Sequence, residues 1–365
     1  MMGIVSELNL REDVAKLTER IMNIESVSGN EKALADQVYE ALRDLSHLEV
    51  HRDGDSIVAR TNLGRAQRVV LAGHLDTVPL PHVAGSRGTV PATVTDGVLY
   101  GRGATDMKGG VAVQLALAAE LTSPRFDVTY IFYDHEEVAA EKSGLGRLAR
   151  NSPQLLQADF AILLEPTNGT VEGGCNGTSR FLVRTTGTAA HSARAWMGAN
   201  AIHKAAEILV RLASYEPATV DVEGLAYRES MNAVRISGGV AGNVIPDYCE
   251  VEVNYRFAPD KNLFDAEAAV RSLFEGFDVE RTDGAEGARP GLDQPIAASL
   301  VQVLGQEPKP KYGWTDVSRF SALGISAVNF GPGDALLAHT DDEHVSQQAI
   351  RDCLDTLRLW LTEAN

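Results

Sequence analysis

Cysteine is scarce in this chain: 365 residues hold three, Cys175, Cys249 and Cys353. They are odd in number, far apart and without C-x-x-C spacing. That excludes a disulfide framework and a cysteine-built zinc site, and a reducing cytoplasm is the expected home. Apolar runs are short as well. None approaches the roughly 18 residues of a membrane helix, so no membrane span is expected. The opening stretch MMGIVSELNLREDVAKLTER has no basic start before an apolar core; it reads as an amphipathic helix rather than a secretory leader. Positive charge is in deficit, with Lys+Arg 33 against Asp+Glu 50 and a formal net charge of −17. So acidic a surface repels phosphate backbones, which excludes nucleic acid as a partner. An anionic small-molecule substrate would need a local cationic pocket. Three catalytic signatures are missing. There is no G-x-S-x-G nucleophile elbow. His135-Glu136-Glu137 is followed by Ala139 where a zincin needs histidine. Lys108 is followed by Gly109 where a phosphate loop needs Ser or Thr.

What remains is an ordinary globular composition, 44% hydrophobic and 23% charged, in a chain long enough for about two domains. Helical spacing predicts helices over 7–24, 31–45 and 109–121. Continuous apolar runs predict strands at 68–76 (RVVLAGHLD), 128–137 (VTYIFYDHEE) and 159–166 (DFAILLEP). Strands of that kind belong to an α/β layer, a mostly parallel sheet with helices on both faces. Between 178 and 285 the pattern changes to alternating strands (FLVRTTG, MNAVRISGG, YCEVEVNYRF) with helices at about 198–214 and 263–276, an antiparallel α+β arrangement. DGAEGARPGLDQP (283–295) reads as a boundary linker. A strand ISAVNF and a helix over 346–363 then resume the first pattern. The expected organisation is one discontinuous catalytic domain, 1–177 and 286–365, interrupted by a smaller domain at 178–285.

The chemistry gathers at strand ends. The first strand ends in His74 and Asp76, the second in Glu136 and Glu137, the third in Glu165, and open α/β sheets build their sites at those carboxyl ends. Charge directly after buried strands is costly unless it is paired or holds a cation. In an extended strand His74 and Asp76 share a side, so Asp76 can fix the imidazole tautomer; H-x-D alone also fits a surface His near a turn. Glycines around Asp106 in GRGATDMKGG let the backbone present its carboxylate. Glu136 and Glu137 diverge, so one can ligate while the other serves as general base; an acidic loop is the plain alternative. In FGPGDALLAHTDDEHVS, His339 is a candidate loop-borne ligand, whereas His344 can simply cap the last helix. Histidines and carboxylates without cysteine suit zinc or a similar divalent ion, and an acid able to bridge two ions suggests a two-metal hydrolase.

GHLDTVP, GRGATDMKGG, the HEE triplet, the strand-end Glu before Pro and the late His, in that order and across nearly the whole chain, resemble the M20 family of metallopeptidases and amidohydrolases. The resemblance implies two Zn2+, with Co2+ an alternative at one site. His74 and Glu165 would bind one ion, Glu137 and His339 the other, and Asp106 would bridge them. Asp76 would support His74, and Glu136 would be the general base. A cis peptide at Asp106–Met107 is implied too. One departure is His135, where many members carry an acid. The 178–285 insertion resembles the family's dimerisation or lid domain, which implies a homodimer. There His191 would stabilise the oxyanion from a partner subunit, and Asn243, Arg256 and Thr315 would contact substrate. EGGCNGTSRF and AHSARAWMGANAIHKA resemble the branch that hydrolyses an N-succinyl amide of a diamino diacid. Acetylornithine deacetylases and other N-acyl-amino-acid amidohydrolases or carboxypeptidases share all the metal residues. A zinc- or peptide-binding module without turnover would be expected to lose Glu136 or Asp106, and both are present.

Overall fold

The computed structural model describes residues 8–363. Its central strands are buried on both faces, Arg68 at the start of one being half-buried, as continuous apolar runs require. Arg68–His74 runs parallel to Asp127–Tyr133 on one side and to Phe160–Leu163 on the other, and Ala327–Asn329 adds a further parallel strand. Glu49–Asp53 and Ser56–Arg60 form an antiparallel hairpin at one edge, completing with two short strands a mostly parallel eight-stranded sheet. Helices Val14–Met22, Gly109–Glu120 and Gln347–Thr362 pack against it through one large apolar cluster.

Two units emerge from the packing. The first comprises Met1–Gly173, Gly291–Lys309 and Arg319–Asn365; the second comprises Gly174–Pro290 and Pro310–Ser318. In the second, Ser230–Gly238, Tyr248–Phe257, Gly177–Thr186 and Asp278–Ala285 form an antiparallel four-stranded sheet. Helices Ala201–Ala213 and Leu263–Leu273 cover one face, meeting Phe181, Val183, Val251, Val253 and Tyr255. The period-2 alternation of the sequence is thus an apolar face against helices and a polar face opposite.

Several element limits move inward, and caps explain them. The first helix starts at Val14, not residue 7, because the Asp13 side chain accepts from the Lys16 N–H; residue 7, the first of the expected helix, lies outside the described residues. Asn200 caps the helix beginning at Ala201, three residues later than expected. The last helix is capped by Ser346, which takes N–H groups of Gln348 and Ala349, so His344 is not its cap. His344 instead lies on the short strand His344–Ser346.

One close approach fixes the sheet to its helix. A Cβ on Gly110 would lie 2.2 Å from the Leu164 carbonyl oxygen, and one on Gly331 2.4 Å from the same atom. Glycine at both positions lets a helix and a loop press onto the backbone that carries Glu165.

Candidate active site

The strand Arg68–His74 delivers His74 to the sheet's carboxyl edge, with Asp76 two residues further on; both residues are buried. The His74 Nδ1 lies 3.0 Å from the Asp76 carbonyl oxygen and 3.5 Å from its carboxylate. The backbone, more than the acid, therefore orients the imidazole. The Asp76 carboxylate has other partners. It accepts the Ser28 hydroxyl at 2.6 Å and the N–H groups of Glu136 and Glu137, each at 3.0 Å. Burial works against this charge, but His74, Ser28 and the N–H groups outweigh it and hold the carboxyl down at about 2. Asp76 so fixes the backbone of the two glutamates as much as it supports His74.

Those glutamates follow His135, whose φ of 58° puts a non-glycine residue in the left-handed region. That turn aims both following N–H groups at Asp76. His135 itself is held by Asp134 at 2.8 Å, and its N–H donates to the buried Glu31 at 3.2 Å.

Asp106 projects from a wide turn at Ala104–Lys108, closed by the Lys108 N–H on the Gly103 carbonyl at 2.8 Å, in which Asp106 and Met107 leave helical geometry, and the Asp106–Met107 peptide is cis. Its two oxygens part company: Oδ1 lies 3.1 Å from His74 Nε2, and Oδ2 3.3 Å from His339 Nε2. His339 Nε2 also lies 3.0 Å from Glu137 Oε1. Donor atoms of His74, Asp106 and Glu137 all fall within 4.8 Å of one another. His339 has a φ of 64°, a second histidine held in the left-handed region beside this cluster.

The donor set fits a cation pair. Asp106 reaches one imidazole with each oxygen, the disposition a bridging acid needs. At His74, burial opposes the charged form, yet hydrogen bonds to Asp106 and Asp76 push its pKa well above the usual value. At His339, hydrogen bonds to Asp106 and Glu137 push it up to about 10. The carboxylates thus demand positive charge at both nitrogens, and divalent ions answer the same demand.

Glu165 is buried just beyond the end of Phe160–Leu163, the parallel neighbour of the His74 strand, and stands outside the 4.8 Å set. Glu136 is half-buried and close enough to act electrostatically on His74. His191, Asn243, Arg256 and Thr315 belong to the second unit. There His191 and Asn243 are neighbours: Ser192 N–H donates to the Asn243 carbonyl at 2.9 Å, and His191 pairs with Val244. The His191 ring caps its own short turn, accepting from the Ala193 N–H. Thr315 is buried, its carbonyl against Cys175 Sγ at 3.7 Å. Arg256 is braced by Asn254 at 3.1 Å, and burial together with the neighbouring Arg180 lowers its pKa. Arg180, one strand away and paired with Asn254, is a second arginine beside Arg256, with the Asp283 carboxylate 3.8 Å from it.

Comparison with known proteins agrees with the geometry. A relative from Mycobacterium tuberculosis, provisionally named succinyl-diaminopimelate desuccinylase DapE, is 51% identical over 97% of this chain and 99% of its own length. The succinyl-diaminopimelate desuccinylase of Corynebacterium glutamicum is 45% identical over 98% of both chains. Among solved structures, a Staphylococcus aureus tripeptidase superposes with a TM-score of 0.76 at 20% identity, covering 98% of each chain. The Bacillus subtilis YXEP protein, described as a dinuclear metal-binding peptidase of the M20 family, does so at 0.71 with 15% identity, covering 96% of this chain and 97% of its own. Such distant likenesses speak for the fold alone. The model of peptidase family M20/M25/M40 matches residues 70–363, a span that takes in every residue of the histidine–carboxylate cluster, and the chain belongs to that family.

Proposed function

We propose that this chain is a metal-dependent amidohydrolase that cleaves N-succinyl-LL-2,6-diaminopimelate to succinate and LL-2,6-diaminopimelate. The carrying observation is near-full-length likeness to desuccinylases combined with an intact histidine–carboxylate cluster. His74 and Glu165 would hold one Zn2+, Glu137 and His339 the other, with Asp106 between them and Co2+ an alternative at one site. When bound, such ions polarise an amide carbonyl and acidify water. Glu136, set by the Asp76 anchor, removes a proton from the attacking water. The water oxygen joins the acyl carbon, the C–N bond breaks, and Glu136 returns the proton to the leaving amine nitrogen. His191, supplied across a homodimer, hydrogen bonds the oxyanion that develops on the acyl oxygen. Arg256, with Arg180 beside it, and Asn243 and Thr315 would hold the substrate's carboxylates against the chain's negative field.

On this reading the first unit is the catalytic domain and the second a dimerisation and lid domain. Exposed Ile202, Leu209 and Val210 on one helix, and Val234 and Ile236 on the outermost strand Ser230–Gly238, are the apolar surface a second copy would cover. The enzyme would work in the cytoplasm; among the described residues no helix is long and apolar enough to cross a membrane.

The test is a substrate panel with metal-loaded protein: N-succinyl-LL-diaminopimelate, N-acetylornithine and several N-acyl amino acids, compared by kcat/KM. The succinyl substrate should lead by at least about tenfold; a lead for N-acetylornithine would overturn the assignment. Glu136→Gln should lower kcat by about 10²–10⁴-fold while metal content stays unchanged.

A further inference from the structure

Among the buried carboxylates to which the function above gives no part, one lies against the candidate site. Glu343, four residues beyond His339, is 1% exposed. Its Oε1 accepts the N–H groups of Thr105 at 3.0 Å and Asp106 at 3.1 Å. Its Oε2 accepts the Gly103 N–H at 3.1 Å and Arg102 Nη1 at 2.8 Å. The turn around Asp106 thus wraps three backbone donors, those of Gly103, Thr105 and Asp106, about one anion, as anion-binding nests do. Three further ties run the same way. Arg102 donates to the Thr340 carbonyl at 3.2 Å, the Thr105 hydroxyl to the His344 carbonyl at 3.1 Å, and the Gly101 N–H to the Glu343 carbonyl at 3.1 Å. The loop that presents Asp106 and the arm that presents His339 are therefore fastened to each other through Glu343.

We propose that Glu343 is a positioning residue that couples the two ligand-bearing segments, so that Asp106 and His339 reach their ions as one preformed piece. The inference rests on the metal reading above. It makes an asymmetric prediction. The Glu137/His339 ion draws two ligands, His339 and Asp106, from the coupled piece. The His74/Glu165 ion draws only Asp106. A glutamine at 343 keeps the shape but not the function. Whichever way its amide turns, an NH2 group faces two donors, and one pair of contacts is lost.

The experiment titrates metal-free full-length protein with Zn2+ by calorimetry. Wild type should bind two ions. Glu343→Gln should weaken one of them by about 10–100-fold, the range for groups that orient ligands, and leave the other within roughly tenfold. In a His339→Ala background, where the arm has already lost its ligand, Glu343→Gln should weaken that ion by less than it does in wild type. Hydrogen exchange of the metal-free variant gives a readout that general destabilisation would not: faster exchange at 101–108 and 338–345, with Asp127–Tyr133 unchanged. Should Glu343→Gln fail to fold, Glu343→Asp retains the charge but loses a methylene of reach, and a smaller effect in the same direction is expected. Two ions bound as tightly by the folded variant as by wild type, or exchange rising evenly along the chain, overturns the coupling alone. A wild type that takes up no ion pair overturns the metal reading and the coupling with it.

Discussion

Gly110→Ala sets two effects of opposite sign against each other, and the structure decides between them. Gly110 is the second residue of the helix Gly109–Glu120, where alanine would ordinarily stabilise by about 1 kcal/mol. Here the added Cβ would lie 2.2 Å from the Leu164 carbonyl oxygen and 2.7 Å from the Leu164 Cβ. An unstrained carbon–oxygen contact sits near 3.3 Å, so the helix and strand must part by about 1 Å. The obstacle is backbone, which cannot swing aside as a side chain can. Overpacking of this kind costs about 1–3 kcal/mol or more. Contact with both the carbonyl oxygen and the Cβ of Leu164 puts the cost at the upper end, and subtracting the propensity gain leaves a net loss of about 2 kcal/mol. For a unit of this size that lowers Tm by about 4–8 °C in scanning calorimetry of the metal-free protein. Gly313→Ala is the control: nothing lies within 4 Å of its added Cβ, so it should melt with wild type. Since the strained backbone leads straight into Glu165, Gly110→Ala should also weaken Zn2+ uptake. A Gly110→Ala protein that melts at or above wild type would refute the close helix–strand approach, and with it the reason for glycine there.

Asp76→Asn keeps one acceptor for the glutamate N–H groups and loses the other. It should cost about 2 kcal/mol in urea unfolding, and up to about 30-fold in kcat if the whole loss falls on the placement of Glu136; unchanged kcat would separate Asp76 from the glutamate pair. At residue 135, Asn tolerates the left-handed backbone and should keep kcat within roughly threefold, whereas β-branched Val should lose about 1–2 kcal/mol of stability; equal melting of the two variants would contradict the turn's role. Asp127 offers a pH test away from the site. Burial raises its pKa, but N–H groups of Leu63 and Arg65 and the Thr61 hydroxyl outweigh that and depress it. A depressed folded pKa gives stability that is present above the unfolded value near 3.9 and fades as pH falls through the folded pKa. Asp127→Asn should therefore cost about 1–3 kcal/mol at pH 7, and the gap to wild type should close below about pH 4. A gap constant down to acid pH would rule this out.

The alternation of chemistries along the chain makes much of the molecule legible in its sequence. Buried parallel strands must be apolar on both faces, so RVVLAGHLD and DFAILLEP announce themselves, and the charge that follows them marks the sheet's carboxyl edge. Half-buried antiparallel strands alternate, so YCEVEVNYRF names its own inward face. Element ends were less legible because a single cap decides them: nothing in the helical period distinguishes Asp13 from its polar neighbours until its carboxylate is seen on the Lys16 N–H.

The candidate site divides in the same way. Residues that would touch an ion, His74, Asp106, Glu137 and His339, stand in short motifs whose chemistry is explicit. The groups that aim them do not. Glu31, Glu343 and the Asp76 carboxylate do their work by accepting backbone N–H groups, and any residue but proline supplies such a donor, so no side-chain pattern betrays the pairing. Asp76 shows the consequence. The H-x-D spacing pointed to its carboxylate as the imidazole's partner, whereas the Asp76 carbonyl is the closer contact and the carboxylate is turned chiefly toward Glu136 and Glu137. Glu343 lay within an acidic turn of a strongly acidic chain, where a solvated acid is the ordinary expectation. Its burial against four donors follows from the path of the backbone, and the path is set by the fold as a whole. Side-chain motifs therefore locate the chemistry, while its geometry rests on backbone donors whose partners only the folded chain reveals.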